Sequence, residues 1–363
     1  MSFHGSYRPE DVEFLLKPIT MEMIDDLADK ERLIQSGLRH YSEMLTPEKL
    51  PTEQYRDLFF QAYALNKERM ARDCLHLAGL ILARNSDVPT LVSLARAGTP
   101  VGAVLAHILR ALLGVPVPHY SVSIIRDRGI DTVALDHILA RGCTAESLVF
   151  IDGWTGKGII SRELEQAITV YNKKRGTAVA AGLHVLADLA GTAACAASGD
   201  DYLIPSSILN STISGLVSRT ILNDAIGPGD FHGCVYFEAF APHDLSRWFV
   251  DDLVAISLQI HALEGLSAPT GADRHALADT SRRFMAEEME RHGISDENLV
   301  KPGIGEATRV LLRRLPGRVI VRNQSEPCVA HLLSLAQEKQ VPIEERPDLP
   351  YHAVSIIRSA HDA

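Results

Sequence analysis

The 363-residue chain reads as an α/β protein, a parallel sheet wrapped by helices, with a smaller α/β unit at its C-terminal end. Two observations predict this. The apolar runs VPTLVSLA, HYSVSII and SLVFID each lead through a polar or glycine-rich turn into a helical pattern, and strand, loop, helix in repetition is the signature of a parallel sheet. Near the end, GIGEATRVLLRRL, GRVIV, EPCVAHLLSLAQEKQ and VPIEE repeat the alternation on a scale close to the lower limit for an autonomous core.

Taken in order, the first 85 or so residues are expected to be helical, because Leu58, Phe59, Tyr63, Met70 and Leu75 recur at helical spacing. After the first strand, RAGTP opens the helix VGAVLAHILRALLG, with Pro100 near its start and Gly114 at its end. The second strand passes through RDRGID into TVALDHILARG, and the third through GWTGKG into IISRELEQAITVYNKKRG. From Tyr202 to Leu263 the pattern is less regular. The charged stretch ADRHALADTSRRFMAEEMERHG follows as a helical linker. The expected division is a 1–50 extension, a 51–265 sheet domain, a 266–295 linker and a 296–363 terminal domain.

Composition is ordinary for a globular chain, 46% hydrophobic and 23% charged. No segment reaches the ~18 apolar residues of a membrane span; the best candidate, Val179–Ala197, is interrupted by His184 and Asp188. The N-terminus is polar and early acidic, unlike a secretory signal, so a cytoplasmic protein without membrane contact is expected. Five cysteines lie singly with no CxxC pair, which argues against a disulfide framework or zinc knuckle and predicts no metal site. The net charge of −10 is uneven: Lys301–Arg322 holds six basic residues against Glu306 alone, a local balance suited to a phosphate backbone or to a solvated helix face.

Open parallel sheets place ligands at the carboxyl ends of their strands. After SLVFID, Gly153, Trp154, Thr155, Gly156, Lys157 and Gly158 open a helix, where inward N–H groups and the helix N-terminus would cradle an anion. Asp152 would point into the same site and bind sugar hydroxyls or a Mg²⁺ shell. Arg96, Ala97, Gly98 and Thr99 form a second glycine turn, with an arginine able to grip another phosphate. Arg126, Arg128 and Asp131 lie in a polar loop long enough to close over a ligand or simply to be solvated.

SLVFIDGWTGKGII resembles the PRPP-binding loop of type I phosphoribosyltransferases, and LVSLARAGTPVGAVLAHIL resembles their pyrophosphate-binding loop. The resemblance implies a type I phosphoribosyltransferase-like sheet and a Mg²⁺-dependent enzyme transferring phosphoribose from PRPP to a nitrogenous acceptor. Asp152 and Arg96 would be its catalytic residues. Residues 97–99 and 152–158 would bind PRPP. A non-catalytic PRPP- or nucleotide-binding regulator acting through RNA is the alternative, since Gly153 replaces the second acid of the family's pair. LVKPGIGEATRVLLRRL and EPCVAHLLSLAQEKQVPIEE resemble the L7Ae and pelota type of RNA-binding domain, which implies RNA contacts from Lys301, Gly303, Glu306 and Arg309. The combination resembles the StiP family, linked to tellurite resistance and stress response, and a homo-oligomer is expected. That family also carries a cysteine protease label. Cys234, with His232 and His243 nearby in sequence, is the residue considered for that chemistry.

Overall fold

The computed structural model describes residues 2–85, 87–266 and 272–358. Its strands are β1 (Glu13–Leu15), β2 (Lys17–Pro18), β3 (Thr90–Ala95), β4 (His119–Ile125), β5 (Gly129–Ile130), β6 (Leu148–Thr155), β7 (Leu183–Asp188), β8 (Cys195–Ser198), β9 (Gly233–Cys234), β10 (Val300–Pro302), β11 (Pro316–Val321), β12 (Ile343–Glu345) and β13 (Ala353–Ile357). The α-helices are α1 (Leu27–Gln35), α2 (Glu53–Arg84), α3 (Thr99–Leu113), α4 (Thr132–Ala140), α5 (Ile159–Arg175), α6 (Ser246–Glu264), α7 (Arg274–Arg291), α8 (Ile304–Arg313) and α9 (Ala330–Glu338). The central sheet runs β1-β4-β3-β6-β7-β8 with every pair on that path parallel, and β5 adds antiparallel to β4. The expected mixed α/β architecture, with a mostly parallel sheet flanked by helices, is therefore what the chain adopts.

Alternation along the strands assigns the two faces. Leu91, Val149, Ile151 and Leu186 join the cluster containing Met70 and Leu77 of α2, Val104 and Ile108 of α3 and Phe249 of α6. Their neighbours Val92, Leu94, Phe150 and Val185 point the other way, onto Leu135 and Ile138 of α4 and Leu164 and Ile168 of α5. Residues buried on both faces are why these strands read as continuous apolar runs. Each fully buried aliphatic side chain contributes roughly 1.5–3 kcal/mol. The early helical expectation holds over α1 and from Glu53 onward, but not over the first 26 residues. Within these, β1 lies beside β4 and Tyr7 and Phe14 are buried in the core. Three-residue strands in a proline-punctuated stretch leave no period to read.

The C-terminal residues form a four-stranded sheet ordered β10-β13-β11-β12, antiparallel except for β11–β12. Phe284 of α7 covers one face with Val300, Ile320, Tyr351 and Val354. Ile304 and Leu311 of α8 and Leu332 and Leu335 of α9 cover the other, and this layer is continuous with the core of the first sheet. Two links fix the join. Asp201 accepts backbone hydrogen bonds from Ile304 (2.9 Å) and His352 (2.8 Å), and Glu288 of α7 grips the Arg346 guanidinium through both oxygens at 2.7 Å. Part of the expected linker, residues 267–271, lies outside the described residues, as do 359–363 of the expected terminal domain. No helix among the described residues is long and apolar enough to cross a membrane.

Candidate functional site

β6 continues three residues beyond Asp152, so the turn before α5 shrinks to Gly156-Lys157-Gly158. Gly158 adopts φ 71° and a Cβ there would fall 2.4 Å from Thr192, so only glycine fits. The turn faces α8 and β10 across a cavity of about 330 Å³, whose walls include Arg126, Asp152, Lys157, Lys301, Glu306 and Arg309. Burial pushes the Asp152 carboxyl up to about 6, although Gly153 N–H donates to it at 2.8 Å. Burial, with Lys301 nearby, pulls the Lys157 ammonium down to about 8. Lys301 is lowered by burial as well, with Arg314, Arg126 and Arg309 adding repulsion. Burial opposes the charge on Glu306, but Arg309, Lys301 and Lys157 outweigh it and hold that carboxyl below its ordinary range. Arg309 bonds Glu306 at 3.0 Å and lies 5.3 Å from the Trp154 ring centroid. The result is a cleft of crowded cations.

The residues expected to complete a pyrophosphate site are committed elsewhere. Arg96 turns away from the cleft into a buried pair with Glu48 (2.6 Å) and donates to the Val217 carbonyl. It lines a separate cavity of about 30 Å³ with Ala97 and Arg313. Gly98 is packed against β6, where a Cβ would meet the Ile151 carbonyl at 2.4 Å. Thr99 shares a hydrogen bond with Ser121 at 2.7 Å. Thr155 donates to Asp188, whose carboxylate also accepts three backbone N–H groups from Ala190, Thr192 and Ala193. In the polar loop, only Arg126 reaches the cleft, beside Tyr41 and 3.2 Å from the Asn298 side chain. Arg128 pairs with Glu43 at 3.0 Å. Asp131 is buried as the N-cap of α4 and accepts from His232 N–H at 2.7 Å. Gly303, at φ 92°, caps α8 and would meet Leu189 with any side chain. Gly305 lies flat on the Trp154 ring, which a Cβ would approach to 3.0 Å.

The thiols differ in surroundings. Cys234 is fully buried in β9 and its thiol is pushed up to about 12 by burial alone. His232 spends its Nδ1 on the Ser123 hydroxyl at 2.8 Å, and among the described residues no imidazole bonds Cys234. Cys74 and Cys195 are buried, and Cys143 is partly exposed beside Tyr120. Cys328 is partly exposed just ahead of α9, with its Sγ 3.4 Å from Glu326 Oε2 and 3.7 Å from His352 Nδ1. Glu326 and His352 Nδ1 are directly hydrogen-bonded. Burial and then Glu326 push the Cys328 thiol up to about 12. Arg322 stands beside the ring, 2.8 Å from Nδ1 and 3.0 Å from Nε2. Sequence reasoning passed over this trio. Glu326 and Cys328 are two apart at a proline turn, but His352 immediately precedes the far strand β13 and no local spacing announces it.

Residues 5–254 match the family model described as "Tellurite-like stress resistance cysteine protease StiP", and residues 279–359 match the "PELOTA RNA binding domain". The chain belongs to the StiP family. A curated relative, "Cysteine protease StiP" of Acinetobacter baylyi, is 39% identical over 367 residues, covering 98% of this chain and 94% of that protein. These matches overturn the expectation of a Mg²⁺-dependent phosphoribosyltransferase acting on PRPP, because both the family and the relative are described as cysteine proteases. There is a physical reason as well: Arg96 is neutralised by Glu48, and the Thr155 hydroxyl is spent on Asp188.

Proposed function

We propose that this chain hydrolyses peptide bonds with Cys328 as nucleophile and the Glu326–His352 pair as its base. The observation that carries the reading is that Cys328 is, among the described residues, the thiol with an imidazole within reach, at 3.7 Å. The descriptions of the family and of the 39% identical relative support the class of chemistry. In the resting site the Glu326 carboxylate accepts from both the thiol and the imidazole and keeps the proton on sulfur. As sulfur adds to a peptide carbonyl, the thiol proton passes to Glu326 Oε2, the acceptor it already faces, with His352 Nδ1–H still bonded to that carboxylate; the pair later delivers a proton to the leaving amine, and water then hydrolyses the thioester. The ring of His352 holds the Glu326 carboxylate in position against the sulfur, and the N-terminal end of α9 begins two residues beyond Cys328.

The StiP family match ends at residue 254 and Cys328 lies beyond it, so the test includes Cys143, a partly exposed thiol inside that stretch. With a peptide-library substrate and the full chain, Cys328→Ala and His352→Gln should each abolish cleavage. Cys143→Ala and Cys234→Ala should retain it. Cleavage that survives Cys328→Ala but not Cys143→Ala overturns the assignment.

A second reading is RNA binding by the cleft, favoured by the crowding of Lys157, Lys301 and Arg309 and by the buried Trp154 Nε1, a donor without an acceptor among the described residues. The match to the PELOTA model supports it. Binding of a single-stranded RNA should weaken with salt, and Lys301→Ala should reduce the slope of log affinity against log salt by about one. An unchanged slope would count against RNA in this cleft.

A further inference from the structure

We infer that Glu326, Cys328 and His352 form a binding site for a zinc-class divalent cation. The three candidate ligand atoms lie within 4.8 Å of one another and come from a thiol, an imidazole and a carboxylate, the donor set that tetrahedral Zn²⁺ prefers. Their spacing also fits. With Zn–S near 2.3 Å and Zn–N or Zn–O near 2.0–2.2 Å, the tetrahedral angle puts sulfur about 3.5 Å from each of the other two donors. Here Sγ is 3.4 Å from Glu326 Oε2 and 3.7 Å from His352 Nδ1. Two edges of the coordination tetrahedron are therefore already in place.

The third edge is closed by the hydrogen bond between Glu326 and His352 Nδ1. A cation replaces the proton held there and the one on sulfur, the two oxygen and nitrogen donors part slightly, and protons are released on binding. The fourth corner is left to water. The supporting frame is fixed: His352 donates its backbone N–H to Asp201 Oδ2 at 2.8 Å, and Asp201 adds negative potential behind the ring. Cys328 and Glu326 are held together by the turn Pro327–Val329.

One group opposes the cation. The guanidinium of Arg322 contacts both ring nitrogens of His352 and stands 3.7 Å from Glu326. It must swing aside, and its side chain is about one-third exposed, which leaves solvent on one side. The site stands whether or not Cys328 is a nucleophile. If it is, an occupied site masks the thiol, and zinc acts as a reversible inhibitor.

The test uses the full chain, stripped with chelator and titrated with Zn²⁺, and with Co²⁺ as a spectroscopic stand-in. Wild type should take up one equivalent and show a cobalt–thiolate charge-transfer band. Cys328→Ser and His352→Gln should each weaken binding on the order of a hundredfold and remove or shift that band, while Cys143→Ala leaves both unchanged. Arg322→Ala should tighten binding several-fold. Circular dichroism of each variant separates loss of the site from loss of the fold, and a misfolded variant is replaced by Glu326→Gln in the same titration. Affinity within twofold of wild type in both Cys328→Ser and His352→Gln overturns the proposal. Zinc binding lost with peptide cleavage intact leaves the metal site and removes the nucleophile; cleavage lost with zinc affinity unchanged does the reverse.

Discussion

Cys234 and Cys328 reach the same thiol pKa, about 12, by different routes. At Cys234 burial is the whole cause. The sulfur lies in the β2–β9 ladder against the main core, and the histidine two residues earlier has turned to Ser123. At Cys328 burial leads but Glu326 adds to it, and the same carboxylate binds an imidazole 3.7 Å from the sulfur. A raised pKa is thus no guide to function until its cause is known. A thiol silenced by desolvation stays silent, whereas one silenced by a movable neighbour can be switched on.

The largest break in the comparison should come from exchanging sulfur for oxygen. Cys328→Ser should lower peptide cleavage by about 10³-fold or more, since a hydroxyl beside this imidazole is a far poorer nucleophile, with little loss of stability because the position is partly exposed. Cys234→Ser should do the opposite. It should keep cleavage and cost about 1–3 kcal/mol in urea unfolding, because a hydroxyl is buried where the thiol has no hydrogen-bond partner among the described residues. The reversed pattern would mean that β9 carries the chemistry.

A third group sharpens the contrast. Asp152, like Cys234, is displaced chiefly by burial, up to about 6 from 3.8. A carboxyl whose folded pKa is raised contributes stability below about pH 4 that is lost as pH rises through 6. Asp152→Asn should therefore stabilise the protein by about 2 kcal/mol at pH 7.5 and by almost nothing at pH 4, measured by denaturant midpoints at the two pH values. Equal effects at both would show that Asp152 is charged at little cost.

Much of the scaffold was legible in the sequence. VPTLVSLA, HYSVSII and SLVFID are mostly apolar and buried because helices cover both faces, and the turns come at or shortly after their ends. The strand AVSII of β13 has the same character, but it follows a proline-rich stretch and pairs backwards onto β10 and β11, which no local pattern states. The site was less legible for the same reason. Glycine turns at Arg96 and Gly156 look like anion cradles in one dimension. Glu48, reaching in from the N-terminal segment, and Asp188, one strand over, already occupy the groups that would bind the anion. Conversely, Cys328 gains its meaning only when β13 brings His352 beside it.

The subtlest expectation concerns Glu326 itself. Burial is the first cause of the raised Cys328 pKa and persists in any variant, so removing the carboxylate should bring the thiol down only part of the way toward its ordinary value. In Glu326→Gln the acceptor charge is gone while the side chain still reaches His352. More thiolate is then present at any fixed pH, and the alkylation profile shifts to lower pH. At pH 8 the rate of iodoacetamide labelling at Cys328, followed by peptide mass spectrometry, should rise on the order of tenfold, while labelling at Cys234 in the native protein stays undetectable. Cleavage should nevertheless fall, because the carboxylate that accepts the thiol proton as sulfur attacks is gone. A variant that is both more readily alkylated and less active separates the two roles of one carboxylate: restraint of the thiol at rest and acceptance of its proton in turnover. An unchanged alkylation rate would mean that desolvation alone sets the Cys328 pKa, and the difference between the two cysteines would reduce to exposure.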